Sequence, residues 1–314
     1  MSQVIVVGSG KWGQNLVHHF YELGALAGVV EISANLQQDL SRSYPDVKIY
    51  SDYTDALETE NSAIVIATPA PTHYSLALLA LQAGKHVFIE KPMTLKKEEA
   101  VELAEYADST NRILMVGHLL LYQPAIRWLK NHLAGGKARQ VWHLSMERLK
   151  LGRVRQGENV WWSFAPHDIS VMLELLGNPK VKLLKVGGHQ MLQSGIEDDV
   201  RVYIEFETGQ TAHLHCSWYW PYQKRETVVL AERQMLVYDE VDQKITVCDK
   251  GVDEQLQNRD EGSYCVDFPD SEPLRIECEH FLDCLIKGSR PHSDAWNGVA
   301  VVEILEMAME ALNG

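Results

Sequence analysis

A glycine-rich turn near the amino terminus constrains the fold of this chain more than any other feature. The apolar run Val4–Val7 leads directly into Gly8-Ser9-Gly10-Lys11-Trp12-Gly13, and apolar residues then recur at helical spacing as far as Gly24. A G-x-G-x-x-G turn between a buried strand and a helix turns the chain tightly, approaches a pyrophosphate closely and packs helix against strand. The turn is therefore predicted to bind dinucleotide phosphates at the helix N-terminus through Gly8, Gly10, Lys11, Trp12 and Gly13.

A carboxylate at the end of the next predicted strand bears on which dinucleotide binds. The strand Leu26–Val30 ends at Glu31, 18 residues after Gly13. A carboxylate at about this offset accepts hydrogen bonds from the adenosine ribose hydroxyls and repels a 2′-phosphate. Because Ile32 and Ser33 follow and no arginine does, the sequence favours NAD over NADP as the cofactor.

Strands and helices continue to alternate through the first 118 residues, which indicates a doubly wound parallel sheet of the Rossmann type. One apolar run, Val87–Ile89, stops abruptly at Glu90-Lys91-Pro92. Carboxyl ends of parallel strands meet at one edge of such a sheet, where ligands bind. We therefore expect a strand-end cluster around the dinucleotide, made of Thr68, Pro69, His73, Glu90, Lys91 and His118.

The pattern changes after His118, so we predict an NAD-binding domain over residues 1–118 and a substrate-binding and oligomerisation domain over 119–314. Between Val181 and Lys250 apolar and polar residues alternate, which is typical of a half-buried antiparallel sheet. The second domain is therefore an α/β domain with a large, mostly antiparallel, open-faced sheet. An open face favours packing against a second subunit, and we expect a homo-oligomer, a dimer or a tetramer.

A candidate substrate-binding segment precedes the alternating region. Pro166 suits the first position of a helix, which would place His167 in the first turn, where the positive end of the helix disfavours a protonated imidazole. His167 alternatively makes only a helix-capping contact. Arg148, Arg153 and Arg155 come earlier on a polar loop. They either grip a carboxylate or a diphosphate bidentately or form a solvated basic loop.

Composition argues against several classes of partner. The chain has 29 Lys and Arg against 43 Asp and Glu, a net charge of −14, which disfavours nucleic acid and anionic membranes. No stretch approaches the roughly 20 apolar residues of a membrane span, and no basic leader precedes the first strand. Five cysteines without C-x-x-C spacing predict reduced thiols in a cytoplasmic protein. His213 and His215 share a face but have no evident third ligand, so no metal is predicted.

Together these motifs resemble the glucose–fructose oxidoreductase/inositol dehydrogenase (Gfo/Idh/MocA) family. The resemblance rests on the glycine turn, Glu90-Lys91-Pro92, His167 and the late Gly288-x-Arg290-Pro291 turn, and it covers essentially the whole chain. Within the family, the segments 117–122 and 162–170 look like the branch of nucleotide-sugar 3-dehydrogenases. Those enzymes oxidise the 3-hydroxyl of UDP-N-acetylglucosaminuronate on the way to sugars of surface polysaccharides.

The resemblance also implies roles for individual residues. Lys91 would contact the nicotinamide ribose and the reacting hydroxyl, and His167 would lie beside that hydroxyl. Many members carry an Asp one helical turn before the His, where this chain has Ser163. This departure favours Lys91 as proton acceptor, provided that burial and the cationic nicotinamide lower its pKa. The implied substrate-binding residues are Tyr122, Arg153, Arg155, Asn159, Trp162, Ser163 and His167.

Two other functions stay open from the sequence. The first is a dehydrogenase with the same cofactor that acts on a free sugar, a cyclitol or a cyclic imine. The second is a non-catalytic NAD-binding regulator, against which Lys91 and His167 argue. Turnover of UDP-linked sugars but not of free sugars separates the first from a nucleotide-sugar dehydrogenase.

Overall fold

The computed structural model describes residues 3–60, 63–268 and 271–313. The chain forms two compact units, Met1–Leu119 with Glu272–Glu303 and Leu120–Ser271 with Ile304–Gly314. The first unit therefore includes a segment near the C-terminus that a division at residue 118 assigns to the second domain. No helix within the described residues is long and apolar enough to cross a membrane.

The first unit contains a six-stranded sheet in the order β3-β2-β1-β4-β5-β6, with every neighbouring pair parallel. This doubly wound order confirms the predicted Rossmann sheet. The strands are β1 (Val4–Val7), β2 (Leu26–Val30), β3 (Lys48–Tyr50), β4 (Ala63–Ile66), β5 (His86–Ile89) and β6 (Leu114–Val116). The helices are α1 (Gly13–Glu22), α2 (Ala34–Ser43), α3 (Tyr53–Leu57), α4 (His73–Gln82), α5 (Lys97–Ser109), α8 (Pro273–Lys287) and the first part of α9 (Ala295–Asn313).

Burial on both faces explains why the first sheet consists of short apolar runs. Every residue of β1 and β4 is buried, as parallel strands covered by helices on both sides require. Helix α1 packs on β1 through Leu16, Val17 and Phe20, which are fully buried. In β1 and β4 polar residues therefore come after the strand rather than within it, at the edge where the predicted cofactor residues lie.

The second unit contains an eight-stranded sheet in the order β14-β13-β12-β11-β7-β10-β9-β8. Among the described strands of this sheet only the β7–β10 pair is parallel, so the predicted, mostly antiparallel sheet is confirmed. The strands are β7 (Val141–Leu149), β8 (Val181–His189), β9 (Asp199–Phe206), β10 (Thr211–Ser217), β11 (Lys224–Ala231), β12 (Met235–Asp239), β13 (Lys244–Val252) and β14 (Asn258–Asp267). The helices are α6 (Pro124–Ala134), α7 (Val160–Leu176) and the end of α9.

Alternation along β7 shows how the second sheet is covered. Leu144, Met146 and Arg148 are buried on the side of α7, whereas His143 and Glu147 point to the opposite face and are half-exposed. One face of the sheet is therefore packed against helices and the other is open within the chain. Strand β14 was not predicted because its sequence is polar and mostly exposed. It forms through pairing with β13 alone.

Helix α7 begins earlier than predicted, and the placement of Pro166 at its first position is wrong. The helix starts at Val160, with Asn159 as N-cap accepting a hydrogen bond from the Trp162 amide at 3.2 Å. A capping Asn satisfies amides that a helix start leaves unpaired, and this outweighs the preference of proline for the first turn. Pro166 thus lies inside the helix, and the argument that the N-terminal dipole acts on His167 does not hold.

We predict that Gly13→Ala destabilises the protein and that Gly10→Ala does not. A Cβ at position 13 would lie 2.1 Å from the Gly8 carbonyl oxygen, so β1 and α1 would have to separate. Overpacking of this kind costs about 1–3 kcal/mol. A Cβ at Gly10 would have no neighbouring atom within 4 Å from the described residues beyond its chain neighbours, so Gly10→Ala serves as the matched control. Urea unfolding measures both changes, and equal stability of the two variants would contradict the prediction.

Candidate active site

Of the three glycines of the turn, Gly10 borders open space that a ligand can occupy, whereas Gly8 and Gly13 lie against other protein atoms. Gly8 has φ +89°, which favours glycine, and Gly13 lies against the Gly8 carbonyl. Gly10 faces open space, where a side chain would occupy the path of a pyrophosphate. Trp12 is the N-cap of α1 without a side-chain cap bond, and the amides of Gln14 and Asn15 donate to the Gly10 and Trp12 carbonyls at 3.0 and 2.9 Å. An anion at this end of α1 would therefore be favoured by the positive end of the helix dipole rather than by those two amides. The turn thus fits the phosphates of NAD.

Glu31 follows β2 and is held as a carboxylate. One oxygen, Oε2, accepts hydrogen bonds from the Ser9 amide at 2.9 Å and the Ser9 hydroxyl at 2.6 Å, and Oε1 accepts one from the Ser33 amide at 2.8 Å. Burial opposes ionisation, but these hydrogen bonds outweigh it and lower the pKa of Glu31. Since Ile32 is 88% exposed and brings no positive charge, this end of the site suits ribose hydroxyls and not a 2′-phosphate.

Glu90 connects the glycine turn with the end of β5. Its Oε1 accepts a hydrogen bond from the indole Nε1 of Trp12 at 2.5 Å, and the Lys91 amide lies 3.3 Å from Oε2. Gly117, which follows β6, leaves room for this carboxylate, because a Cβ there would lie 3.1 Å from Oε1. Burial raises the pKa of Glu90 to about 7, although Trp12 and the charge of Lys91 act in the opposite direction.

His73 connects the ends of β4 and β5. The first residue of α4, it is almost fully buried, with Nδ1 2.8 Å from the Pro92 carbonyl and Nε2 2.9 Å from the Thr68 carbonyl. Burial lowers its pKa, and the charge of Lys91 adds to that effect. A neutral imidazole has one N–H, so His73 donates to one of these two carbonyls and lies against the other, between the two strand ends. Pro69 lies at the start of the short 3-10 helix Ala70–Thr72.

His118, which follows β6, is fully buried, and its partner Asn297 was not anticipated. Nδ1 lies 2.5 Å from Asn297 Oδ1, and Nε2 has no hydrogen-bond partner among the described residues. An amide oxygen on one side requires a proton on Nδ1, which leaves a lone pair on Nε2. Burial lowers the pKa of His118 to about 4, and the charge of Lys91 contributes to this. Asn297 is separated from His118 by 179 residues, so no local pattern indicates the pair.

Thr68, Pro69, His73, Glu90, Lys91 and His118 all lie at the carboxyl edge of the first sheet, after β4, β5 and β6. Lys91 is half-buried there and interacts electrostatically with Glu90, His73 and His118. Two of these neighbours are imidazoles whose pKa burial lowers, so they are neutral at pH 7. The edge therefore presents the amine of Lys91, one carboxyl group of unusual pKa and neutral hydrogen-bonding groups.

The predicted substrate residues belong to the second unit, and several of them lie on α7. Ser163 is buried and His167 is half-buried, and the spacing of four places them on one face of the helix. Asn159 is occupied structurally, because its Nδ2 donates to Glu197 Oε2 at 2.7 Å in addition to the cap. Trp162 is half-buried, and Tyr122 is buried at the end of the 3-10 helix Leu119–Tyr122.

The three arginines of the candidate loop divide into two groups. Arg148 lies in β7, is 7% exposed, and binds Asp168 through Nε at 3.0 Å and Glu240 through Nη2 at 2.8 Å. It is therefore not available for a substrate anion, and neither alternative, an anion grip or a solvated basic loop, holds for Arg148. Arg153 and Arg155 follow β7 on an irregular loop, where Arg155 pairs with Glu158 at 3.0 Å. Only these two stay candidates for gripping an anionic substrate.

We predict that Glu90→Gln stabilises the NAD-free protein at alkaline pH. The pKa of Glu90 is about 7 against an ordinary 4.5, so its contribution to stability is complete below about pH 4.5 and is lost as the pH rises to about 7. At pH 8 the neutral Gln avoids a penalty of up to about 3 kcal/mol at 1.36 kcal/mol per pKa unit. Urea unfolding at about pH 4.5 and pH 8 measures the difference.

The exposed carboxylate of Glu105 on α5 provides the control, since Glu105→Gln changes the same net charge at the surface. A gain for Glu90→Gln that is equal at both pH values, or a loss at pH 8, would contradict the prediction.

Comparison with known proteins identifies the family. Residues 2–118 match the model of the oxidoreductase family with an NAD-binding Rossmann fold (GFO_IDH_MocA), and residues 135–237 match the GFO/IDH/MocA C-terminal domain. The UDP-N-acetylglucosamine 3-dehydrogenase of Acidithiobacillus ferrooxidans is 31% identical over 218 residues, which are 68% of this chain and 66% of that enzyme. The NAD(+)-dependent scyllo-inositol 2-dehydrogenase of Bacillus subtilis is 26% identical over 248 residues, which are 73% of this chain and 69% of that enzyme.

Solved structures agree on the fold. A crystal structure of the Acidithiobacillus ferrooxidans enzyme aligns with a TM-score of 0.88 at 24% identity, covering 99% of this chain and 97% of that one. Levoglucosan dehydrogenase in complex with NADH aligns with a TM-score of 0.87 at 16% identity, covering 99% and 96%. The predicted family and the predicted cofactor, NAD, are confirmed. The chain is an NAD-dependent dehydrogenase of the GFO/IDH/MocA oxidoreductase family.

Proposed function

We propose that the protein oxidises a secondary hydroxyl of a nucleotide-linked sugar, the 3-hydroxyl of UDP-N-acetylglucosaminuronate or a close relative. The observation that carries the proposal is the half-buried Lys91 at the carboxyl edge of the Rossmann sheet, beside Glu90 and two neutral imidazoles. A relative at 31% identity is named for 3-dehydrogenation of a UDP-linked sugar, which supports this substrate class.

Lys91 is the group that moves the proton of the reacting hydroxyl. NAD, when bound, supplies the acceptor for the hydride that leaves the sugar carbon. As the carbonyl forms, the hydroxyl proton passes to the uncharged amine of Lys91, so that one hydride and one proton leave the alcohol. Glu90 interacts with Lys91 electrostatically and with the glycine turn through Trp12, which fits a role in holding the lysine at the cofactor site.

In this proposal His167 orients the sugar, and Ser163 does not act as a charged partner for it. A serine one turn before the histidine has no carboxylate to stabilise an imidazolium, so a relay through His167 lacks its usual second member. Arg153 and Arg155 supply positive charge for a uronate or a diphosphate. Tyr122 and Trp162 contribute aromatic surface, and Asn159 acts through the start of α7.

The open face of the second sheet supports a homo-oligomer, a dimer or a tetramer. Half-exposed side chains such as His143, Tyr203 and Glu147 line this face, whereas the opposite face is buried under helices. A second copy of the chain would cover it.

A cyclitol is the second candidate substrate. The scyllo-inositol 2-dehydrogenase of Bacillus subtilis aligns over 73% of this chain at 26% identity. A cyclitol offers a ring hydroxyl to the same lysine and needs neither Arg153 nor Arg155. Turnover of scyllo-inositol that is unaffected by removal of both arginines would favour this substrate.

We predict that NAD is reduced at least tenfold faster with UDP-N-acetylglucosaminuronate or UDP-N-acetylglucosamine than with free N-acetylglucosamine or scyllo-inositol. The reason is that ion pairs between the two arginines and the diphosphate add binding energy that the free compounds do not offer. Initial rates of NADH formation at equal substrate concentrations measure this. The double variant Arg153→Ala/Arg155→Ala should raise KM for UDP-sugars and leave the rates with free sugars unchanged. Equal rates with linked and free sugars would contradict the proposal.

We predict that Lys91→Ala reduces kcat by about 10²–10⁴, the range for a general acid or base, while the protein still binds NADH. Stopped-flow turnover and fluorescence titration with NADH give the two values. Lys96→Ala, which removes a largely exposed lysine five residues away, is the matched control and should leave both unchanged. Full turnover of Lys91→Ala would remove this residue from the chemistry, and loss of NADH binding alone would make it a cofactor ligand only.

A further inference from the structure

Glu277 is a carboxyl group in the core of the first unit that the proposed mechanism does not use. It is 0% exposed, and neither Oε1 nor Oε2 has a hydrogen-bond partner among the described residues. Its neighbours on the same face of α8 are the buried apolar residues Leu274, Cys278 and Phe281. A buried carboxyl without partners is costly as an anion, and native proteins seldom keep one without a use.

The packing of α8 against β5 brings this carboxyl within electrostatic range of the strand end. The ring of Phe281 contacts the ring of Phe88 edge-on, with centroids 5.6 Å apart. Glu277 precedes Phe281 by one helical turn on the same face, and Glu90 follows Phe88 by two residues on the same side of the chain. In agreement with this arrangement, Glu277 interacts electrostatically with Glu90.

The two carboxyls differ in how readily they ionise. Burial raises the pKa of Glu277 well above its ordinary range, and the charge of Glu90 raises it further. Glu90 has the Trp12 indole and Lys91 to stabilise its anion, whereas Glu277 has neither. The first negative charge of the pair therefore resides on Glu90.

We propose that Glu277 is a positioning residue for Glu90: a buried carboxylic acid that stays protonated, so that the pair carries a single negative charge on Glu90, next to Lys91. A neutral carboxyl is polar, and its dipole stabilises the Glu90 anion more than an apolar side chain of the same size would. Glu277 thereby sets the pH at which Lys91 acquires its counter-charge, without touching substrate or cofactor.

The groups that act on the pair come from three elements. Trp12 faces Glu90 from the glycine turn, and Lys91 adjoins it after β5. Burial raises the pKa of the Cys278 thiol on α8 well above its ordinary range, and the charges of Glu277 and Glu90 raise it further. The thiol therefore stays neutral. Two ionisable groups of α8, Glu277 and Cys278, therefore lie within electrostatic range of Glu90.

The proposal is tested by titrating the two carboxyls in the full-length protein labelled with ¹³C at the glutamate Cδ. Spectra of Glu90→Gln and Glu277→Gln assign the two resonances by their loss. We expect the Glu277 resonance to stay in its protonated position throughout the pH range in which Glu90 titrates. In Glu277→Leu the Glu90 midpoint should rise by about one pH unit, and in Glu277→Gln, which keeps a neutral dipole, it should move by less than about 0.3.

Glu279→Gln is the matched control, because this carboxylate lies on the same helix, is about half exposed and should leave the Glu90 midpoint unchanged. A Glu277 resonance that ionises before Glu90 would overturn the proposal. A Glu90 midpoint that falls in Glu277→Gln would also overturn it, because removal of a negative neighbour has that effect. An unmoved midpoint in folded Glu277→Leu would overturn it as well. Should the Leu variant fail to fold, the wild-type and Gln titrations decide alone.

A second readout links the pair to catalysis and rests on the proposed function. Because the ionised Glu90 holds Lys91 at the cofactor site in the proposed function, the step of the kcat/KM pH profile that reports ionisation of Glu90 should move to higher pH in Glu277→Leu and stay in place in Glu277→Gln. A purely structural role would lower the rates of both variants without moving this step. The carboxyl titration needs neither substrate nor NAD, so it tests the role of Glu277 even if the proposed function is wrong. Failure of the Glu277 proposal and failure of the proposed function are therefore distinguishable.

Discussion

The contact between Gly13 and the Gly8 carbonyl is the constraint on which the first unit depends. With no side chain at either position, α1 can start directly behind β1, so that its first amides and the end of the strand lie at the same edge. The polar residues that follow β2, β4, β5 and β6 reach this edge because parallel strands end together. Gly8 and Gly13 therefore determine that the start of α1 lies at the same edge as the six polar side chains that follow these strands, although neither glycine contributes a reactive group.

Burial at this edge controls charge more than direct ion pairing does. Burial raises the pKa of Glu90 and lowers the pKa values of His73 and His118. The ionised forms of these three neighbours of Lys91 are therefore disfavoured. In the proposed mechanism Lys91 accepts a proton near neutral pH, and strong carboxylate partners would hinder this because they would hold the amine protonated. Glu90, whose pKa is about 7 and which accepts a hydrogen bond from Trp12, is only partly ionised near neutral pH. It therefore offers Lys91 less negative charge than an ordinary carboxylate would.

The sequence predicted those features that depend on a short, continuous run of residues. The glycine turn, Glu31 and the strand ends were placed correctly because apolar runs and their terminators reflect a sheet covered on both faces. It was uninformative about partners distant in the chain, such as Asn297 for His118 and Glu240 for Arg148. The start of α7 was misplaced because proline is a weaker start signal than a capping asparagine. Glu277 did leave a signal, a carboxyl at a core position of the α8 stripe Leu274, Cys278 and Phe281.

Buried charge has opposite consequences in the two units. Arg148 is enclosed by Asp168 and Glu240, so each carboxylate has a geometrically fixed cation, and the group fastens α7 to β7 next to His167. Glu277 lies among buried apolar residues of α8 and has no hydrogen-bonded or paired cation among the described residues, so burial favours its protonated form. A paired buried charge is fixed over a wide pH range, whereas an unpaired acid responds to its neighbours. Residues that tune a reactive lysine are therefore to be sought among the unpaired acids, and salt-bridged arginines are better regarded as parts of the scaffold.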